Sequence, residues 1–469
     1  MTNSKHNNFT YRMATVQGDT HTPVSLFKKL KGKKKFLLES SKKHAANGRY
    51  SYLGVNPSSE IKSFGTKILY KDLKTGEIAV HAGRIIDFLK REIQGPQIES
   101  IPFPFYGGAI GFFSYDVIRQ YEEIGEVPKD EIAMPDSHFM VCSELFVFDH
   151  ISQTIHLIAL GDETAEILEG KLSSMKQMLN EESTGTVDEA PVLDFQPTVS
   201  KQEFMQRVET IKESIIKGDI FQAVLSQRFI SDIEGDPFEI YRKLRIANPS
   251  PYMYYLDFED YQVVGSSPES MVRGVGRDVY LNPIAGTMPR GKTDEEDAIF
   301  EQTLLADEKE RAEHMMLVDL GRNDLGRVSK IGSIRITSSM IVERYQFVMH
   351  LVSEIAGTLR DDLSPLDALA VSLPAGTVSG APKIESMKLI NRLEQKKRGL
   401  YSGAVGYVGF NGNLDMALAI RTMIVKDDKA YIQAGAGIVY DSKPEKEYQE
   451  TLNKAKSLMG ALKNDFVNR

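Results

Sequence analysis

Four glutamates stand on two stretches of helical pattern far apart in the chain. Glu310 and Glu313 lie in DEKERAEHMMLVDLGRND; Glu447 and Glu450 lie in PEKEYQETLNKAK, with Lys454 one turn beyond. Residues three or four apart share a helical face, so each pair can present two carboxylates in one direction. Brought together across a pocket, the four would make a hard oxygen site suited to Mg²⁺, which keeps part of its water shell. Glu-x-x-Glu is equally at home on a solvated helix, and the spacing alone leaves both readings open.

Other segments carry parts for handling anions. Gln433-Ala-Gly-Ala-Gly-Ile-Val runs directly into the second acidic helix. Gly435 and Gly437 permit a close approach, and the amides from Gly435 through Ala436 to Gly437 could hold a carboxylate or phosphate. A tight sheet crossing would use the same residues. PAGTVSGAPK, residues 374 to 383, has the composition of a loop that sets Thr377 and backbone amides at a helix N-terminus. Arg421, inside the apolar run ALAIRTMIV, is costly to bury without an anionic partner. His350, in RYQFVMHLVSE, is either a satisfied core histidine or an acid near a reaction centre.

The elements that must position these residues follow from periodicity. Short apolar runs (KFLLES, ELFVFDH, TIHLIAL) alternate with turn residues in the first third and predict strands. Asn180 to Ser200 mixes Glu, Ser, Thr, Gly and Pro without helical period and reads as a linker or long surface loop. Ser200 followed by Glu203 has capping-box spacing and opens a helix. Further strands are predicted at YQVVGSS, GAVGYVGF, LDMALAIRTMIV and KAYIQAGAGIVY. Helices are predicted at DEEDAIFEQTLLADEKERAEHMMLVDLG and PEKEYQETLNKAKSLMGALKN. Clustered strands between helices, without strict alternation, indicate an α+β protein. The division expected is an N-terminal domain over 1–180, a linker over 181–200 and a second domain over 201–469.

Composition removes several classes. A formal charge of −8 disfavours polyanions, and the one basic run, KKLKGKKK, reads as a solvated turn or helix end, so no nucleic-acid partner is expected. The single cysteine, Cys142, can make neither an internal disulfide nor a thiolate metal site, and its apolar surroundings suggest a core thiol. No apolar run approaches the ~18 residues that span a bilayer, and the polar N-terminus lacks a signal-like segment. A soluble, cytoplasmic protein with no membrane partner is expected.

With these residues assembled, the chain resembles the anthranilate synthase component I family of chorismate-utilising enzymes. The strings SPES, PIAGTMPRG, DEKERAEHMMLVDLGRND, PAGTVSGAPK and GAGIVYDSKPEKEYQETLNKA carry the likeness, in this order. The resemblance implies two large, mainly antiparallel sheets packed as a sandwich, helices outside and the active site at one end. It implies chorismate contacts at Gly286, Thr287, Thr377, Tyr401, Arg421 and the amides of Gly435 to Gly437. Glu313 and Glu450 would be direct Mg²⁺ ligands, with Glu310 and Glu447 completing the acidic surround. Lys454 would pair with a substrate carboxylate or an acidic ligand, and Glu269 of SPES, assisted by His350, would act as the general acid.

The siblings differ in the nucleophile they add. Isochorismate and salicylate synthases carry a lysine where this chain has Gln222, which cannot deprotonate water at neutral pH. Aminodeoxychorismate synthase carries a nucleophilic lysine where this chain has Ala285. Ammonia then becomes the expected nucleophile. Because Cys142 lies in no glutaminase context, a separate glutamine amidotransferase subunit (component II) is expected, in a heterotetramer. LLES with NPSPYM resembles the family's tryptophan feedback site, which implies Glu39 for the amino group and Ser40, Arg49, Pro251, Tyr252 and Met253 around the ligand. The alternatives are aminodeoxychorismate synthase component I and a non-catalytic tryptophan-sensing homologue.

Overall fold

A computed structural model describes residues 9–40, 48–181, 190–345 and 348–459. Two antiparallel sheets, each of twelve strands among these residues, dominate it. Strands from the first third and from the rest of the chain share both sheets. Lys35–Glu39 pairs with Tyr252–Asp257 in one, and Gly108–Phe113 pairs with Ala404–Gly409 in the other.

The period-two pattern explains how the first sheet is covered on both faces. Tyr254, Leu256 and Val263 point inward against Phe112 and Phe139 of the second sheet. Their neighbours Met253, Tyr255 and Val264 join an outer layer with Leu168, Leu172 and Tyr241 from flanking helices. Successive side chains of a strand face opposite ways, so near-continuous apolar runs are what a sheet buried on both faces requires. The strands expected at KFLLES, ELFVFDH and TIHLIAL form as Lys35–Glu39, Glu144–Asp149 and Thr154–Gly161.

Several boundaries differ from the sequence expectation. The helix predicted over DEEDAIFEQTLLADEKERAEHMMLVDLG is two helices, Asp294–Ala306 and Glu308–Gly326. Asp307 breaks it by accepting from the amides of Lys309 and Glu310. The strand predicted over LDMALAIRTMIV is also two, Leu414–Leu418 and Thr422–Lys426, and these belong to different sheets. The chain crosses between them through Arg421, whose φ is 50°. Ser200 caps the helix Lys201–Ile216, but Glu203 pairs with Arg207 at 2.6 Å, so no reciprocal capping bond appears among the described contacts. Residues 182–189 of the expected linker lie outside the described residues. Its last part is built into the fold: Gln196–Pro197 pairs with Ile230 and Phe229, and Phe195 is buried. The basic run is not wholly solvated either, since Lys34 is buried with its ammonium 2.8 Å from Glu60.

A second crossing lies beside the first. Gln262–Ser267 belongs to one sheet and Ser270–Val275 to the other, with Pro268 and Glu269 between. The crossings are tied together: Ser266 N donates to Arg421 O at 3.1 Å, and Leu418 N donates to Glu269 O at 2.9 Å. The residues expected to be acid and cation therefore sit side by side on one seam.

Candidate active site

Glu269 is buried and accepts a 2.8 Å hydrogen bond from the Thr377 hydroxyl. Burial raises its carboxyl to about 7, against the Thr377 bond and the charges of Arg421 and Lys454. A carboxyl poised there can hold a proton at neutral pH and release it to a leaving group. Thr377 does not lie at a helix N-terminus, as its composition suggested. It occupies a short 3₁₀ turn, Gly376–Val378, and the following helix starts only at Lys383.

Across the seam, burial lowers the Arg421 guanidinium, with Tyr345 and Glu269 as the opposing charges. Among the described contacts no ion pair or hydrogen bond engages that guanidinium, which suits it to an incoming carboxylate. The strand Lys429–Ile438 supplies more donors. On one side it pairs with Thr422–Lys426 only as far as Ile432. On the other it continues along Gln222–Asp232 to Ile438. Alternate amides beyond Ile432 are therefore left on an open edge.

Glycine matters most at Gly435, where a Cβ would come 2.6 Å from the Tyr401 hydroxyl and 3.0 Å from the Leu225 carbonyl; at Gly437 a Cβ would meet only the tip of Gln222, at 2.8 Å. Tyr401 is buried, and burial pushes its hydroxyl up to about 12, so it stays a neutral donor. Lys454 donates to Gly435 O at 3.0 Å and pairs with Glu450 at 2.7 Å.

Gly286 is the bulge residue of the strand Ile284–Pro289, with φ 70°. Its carbonyl accepts from His350 Nδ1 at 2.9 Å, and the Thr287 hydroxyl lies 3.1 Å from the same nitrogen. A carbonyl can only accept, so Nδ1 carries the proton. Burial lowers the ring's pKa, against the Gly286 bond, and the neutral tautomer leaves Nε2 as an acceptor. His350 is thus better placed to orient a group than to donate a proton.

The acidic pairs arrive on the helices Glu308–Gly326 and Pro444–Met459. Burial raises Glu310, and Glu313 adds to the rise. Burial raises Glu447 as well, against a hydrogen bond from Ser442 and with Glu450 adding to it. Lys309, on the first of these helices, acts on Glu447 of the other. A Cβ on Gly286 would stand 3.2 Å from Glu310 Oε2, which puts this carboxylate beside the bulge. The quartet is not drawn into one cluster, however. Among the described residues no three acidic, histidine or cysteine side chains converge as a metal group.

The second constellation is also partly gathered. Glu39, Ser40, Pro251, Tyr252 and Met253 line one cavity with Tyr52, Tyr407 and Asp415. Arg49 does not join them, because its guanidinium is held by Asp149 at 2.6 Å. Glu39 is already engaged, accepting from Tyr241 at 2.6 Å and from Arg245 at 2.8 and 3.0 Å. Sequence reading missed Arg245 and Asp415. Burial raises Asp415 to about 6, and Tyr252 donates to it at 3.0 Å. Asp415 lies in the predicted strand LDMALAIRTMIV, and an acid within that apolar run was the signal that could have marked it.

A seam that sets a buried carboxyl of pKa about 7 beside a buried guanidinium and an open amide edge has the parts to receive a small carboxylate. The model of the chorismate binding enzymes matches residues 33–460, and the chain belongs to that family. Within it, the chain is 45% identical over 464 residues to anthranilate synthase component 1 of Acetivibrio thermocellus, covering 95% of this chain and 94% of that one. The Lactococcus lactis component 1 is 43% identical over 455 residues, covering 96% and 99%. The crystal structure of anthranilate synthase component I from Streptococcus pneumoniae superposes with TM-score 0.82 at 45% identity, over 95% of this chain and 98% of that one. The menaquinone-specific isochorismate synthase of Escherichia coli shares the fold, with TM-score 0.74 at 17% identity over 97% and 96%.

Proposed function

We infer that the chain is the aminating component of an anthranilate synthase, a lyase that converts chorismate and ammonia to anthranilate, pyruvate and water. The observation that carries the reading is the buried Glu269 held near neutral pKa beside Arg421. Arg421 and the open edge at Gly435–Gly437 hold one substrate carboxylate and fix the ring. Ammonia attacks C2 while Glu269 gives its proton to the departing C4 hydroxyl, which leaves as water. Loss of the C2 proton then expels pyruvate and makes the ring aromatic. Gln222 and Ala285 offer neither a base for water nor a nucleophile, so the amine comes from solution or a partner.

Mg²⁺ fits the donor set. The two helices offer four carboxylates, hard oxygen donors; burial raises Glu310 and Glu447, with neighbouring Glu313 and Glu450 adding to the rise and Lys309 opposing it in both. Glu313 and Glu450 would hold the ion, with Glu310 and Glu447 around it, and the ion would polarise and orient a substrate carboxylate. The deciding assay is chorismate, ammonium and Mg²⁺ at mildly alkaline pH, read by anthranilate fluorescence and mass. Anthranilate that disappears with a chelator is expected; an aminated but unaromatised product would replace the reading with aminodeoxychorismate synthase chemistry.

A glutamine amidotransferase partner is expected because Cys142 is buried and burial drives its thiol well above the ordinary range. Cys142→Ser should keep the ammonia-dependent kcat while lowering the melting temperature, since a hydroxyl replaces a core thiol. Loss of turnover in a folded variant would sink that assignment. The cavity around Glu39 and Tyr252 is read as the tryptophan feedback site. Tyr252→Phe should weaken inhibition by tryptophan several-fold and leave uninhibited kcat unchanged, as the hydroxyl that donates to Asp415 beside the cavity is removed. Unchanged inhibition would place the inhibitor elsewhere.

A further inference from the structure

A fully buried ion pair lies behind the substrate-facing surface without touching it. Arg398 is the last basic residue of EQKKRGLYSG, yet its side chain is 1% exposed. Its Nε and Nη2 bind Glu394 at 2.8 and 2.7 Å. The remaining donors reach two backbone carbonyls: Val378 O at 2.7 Å and Val224 O at 2.6 Å. Val378 follows Thr377 in the 3₁₀ turn, and Val224 is the register partner of Gly437. Glu394 accepts from both the amide and hydroxyl of Ser226, each at 2.8 Å, and Ser226 is the register partner of Gly435. The guanidinium also lies 5.5 Å from the Tyr401 ring centroid and 4.9 Å from that of Tyr115.

We propose that the Glu394–Arg398 pair is a positioning clamp, holding the Thr377 turn, Tyr401 and the strand opposite Gly435–Gly437 in the one arrangement that serves the reaction. Desolvating two charges is expensive, and apolar residues of similar size often replace such a pair without loss of stability. A pair kept for stability alone would thus be replaceable. What apolar side chains cannot reproduce is the simultaneous hold on two carbonyls from different segments. The planar fork of arginine suits that task, whereas lysine has no fixed geometry.

The inference rests on the chorismate amination reading, so the wild-type enzyme is assayed alongside; its failure to form anthranilate would sink that reading and not the clamp. The test variants are Glu394→Leu/Arg398→Met, which replaces the pair by apolar groups, and Arg398→Lys. Each is followed by thermal melting and by kcat and KM across pH. Both should melt cooperatively. In both, kcat should fall roughly 100-fold, the scale of an ångström-level misplacement. The basic limb of the kcat profile should move to higher pH, because a loosened Thr377 no longer lowers the Glu269 carboxyl. A folded double variant with wild-type kcat and an unmoved profile would overturn the clamp. So would a double variant that does not fold, since the pair would then be a determinant of the fold.

Discussion

Glu269→Gln is expected to reduce kcat by roughly 10²–10⁴-fold, the usual contribution of a positioned general acid. The amide is nearly isosteric and keeps the Thr377 hydroxyl bonded, at 2.8 Å in the parent, but it has no proton to give at any pH. The basic limb near pH 7 should vanish from the residual profile, because the group that titrates at about 7 is gone. Stability should move the other way. A carboxyl raised from 4.5 to about 7 on folding binds its proton more tightly in the folded state. That contribution is complete below the ordinary carboxyl value and is lost as pH rises through about 7. Above that pH the wild type carries a buried charge, and glutamine removes a penalty of about 3 kcal/mol. A variant of undiminished kcat, checked by stopped assays at pH 6 to 9, would remove Glu269 from the chemistry.

Arg421→Met is expected to separate binding from stability even more clearly. The buried guanidinium has no ion pair or hydrogen bond among the described contacts, and the charges of Tyr345 and Glu269 offset its burial only in part. Removing it should raise the melting temperature. The substrate meanwhile loses its main cationic contact, so kcat/KM should drop by about 2–5 kcal/mol of transition-state binding, or roughly 30- to 5,000-fold. The basic limb should also shift upward, since Arg421 is one of the charges that lower Glu269. A variant that melts lower and binds chorismate normally would mean that the arginine serves the fold.

The alternating apolar runs conveyed the two sheets well, because a strand buried on both faces has a composition that little else shares. The site was legible where chemistry is local. Gly435 stands where a side chain would meet Tyr401 and the Leu225 carbonyl, and Glu269, Thr377 and Arg421 come together although they are distant in sequence. What stayed hidden depends on tertiary contact. Nothing in LDMALAIRTMIV announces that the chain changes sheets at Arg421, because both halves are equally apolar. Asp307 ends one helix and begins another by a cap that helical periodicity passes over. Arg398 follows two lysines and carries no apolar signal, and only the packed structure shows its side chain between two tyrosines.

The paired crossings at Glu269 and Arg421 bear on how activity is acquired. Each crossing joins a strand of one sheet to a strand of the other, and the two are bonded to each other through Ser266 and Leu418. A chain that has formed only one sheet has no seam, and hence no acid beside its cation. Both sheets also recruit strands from far-separated parts of the sequence, which makes their assembly slow relative to helix formation. During refolding from denaturant, helical signal should therefore return before turnover does. Catalysis here reports that the whole sandwich has closed.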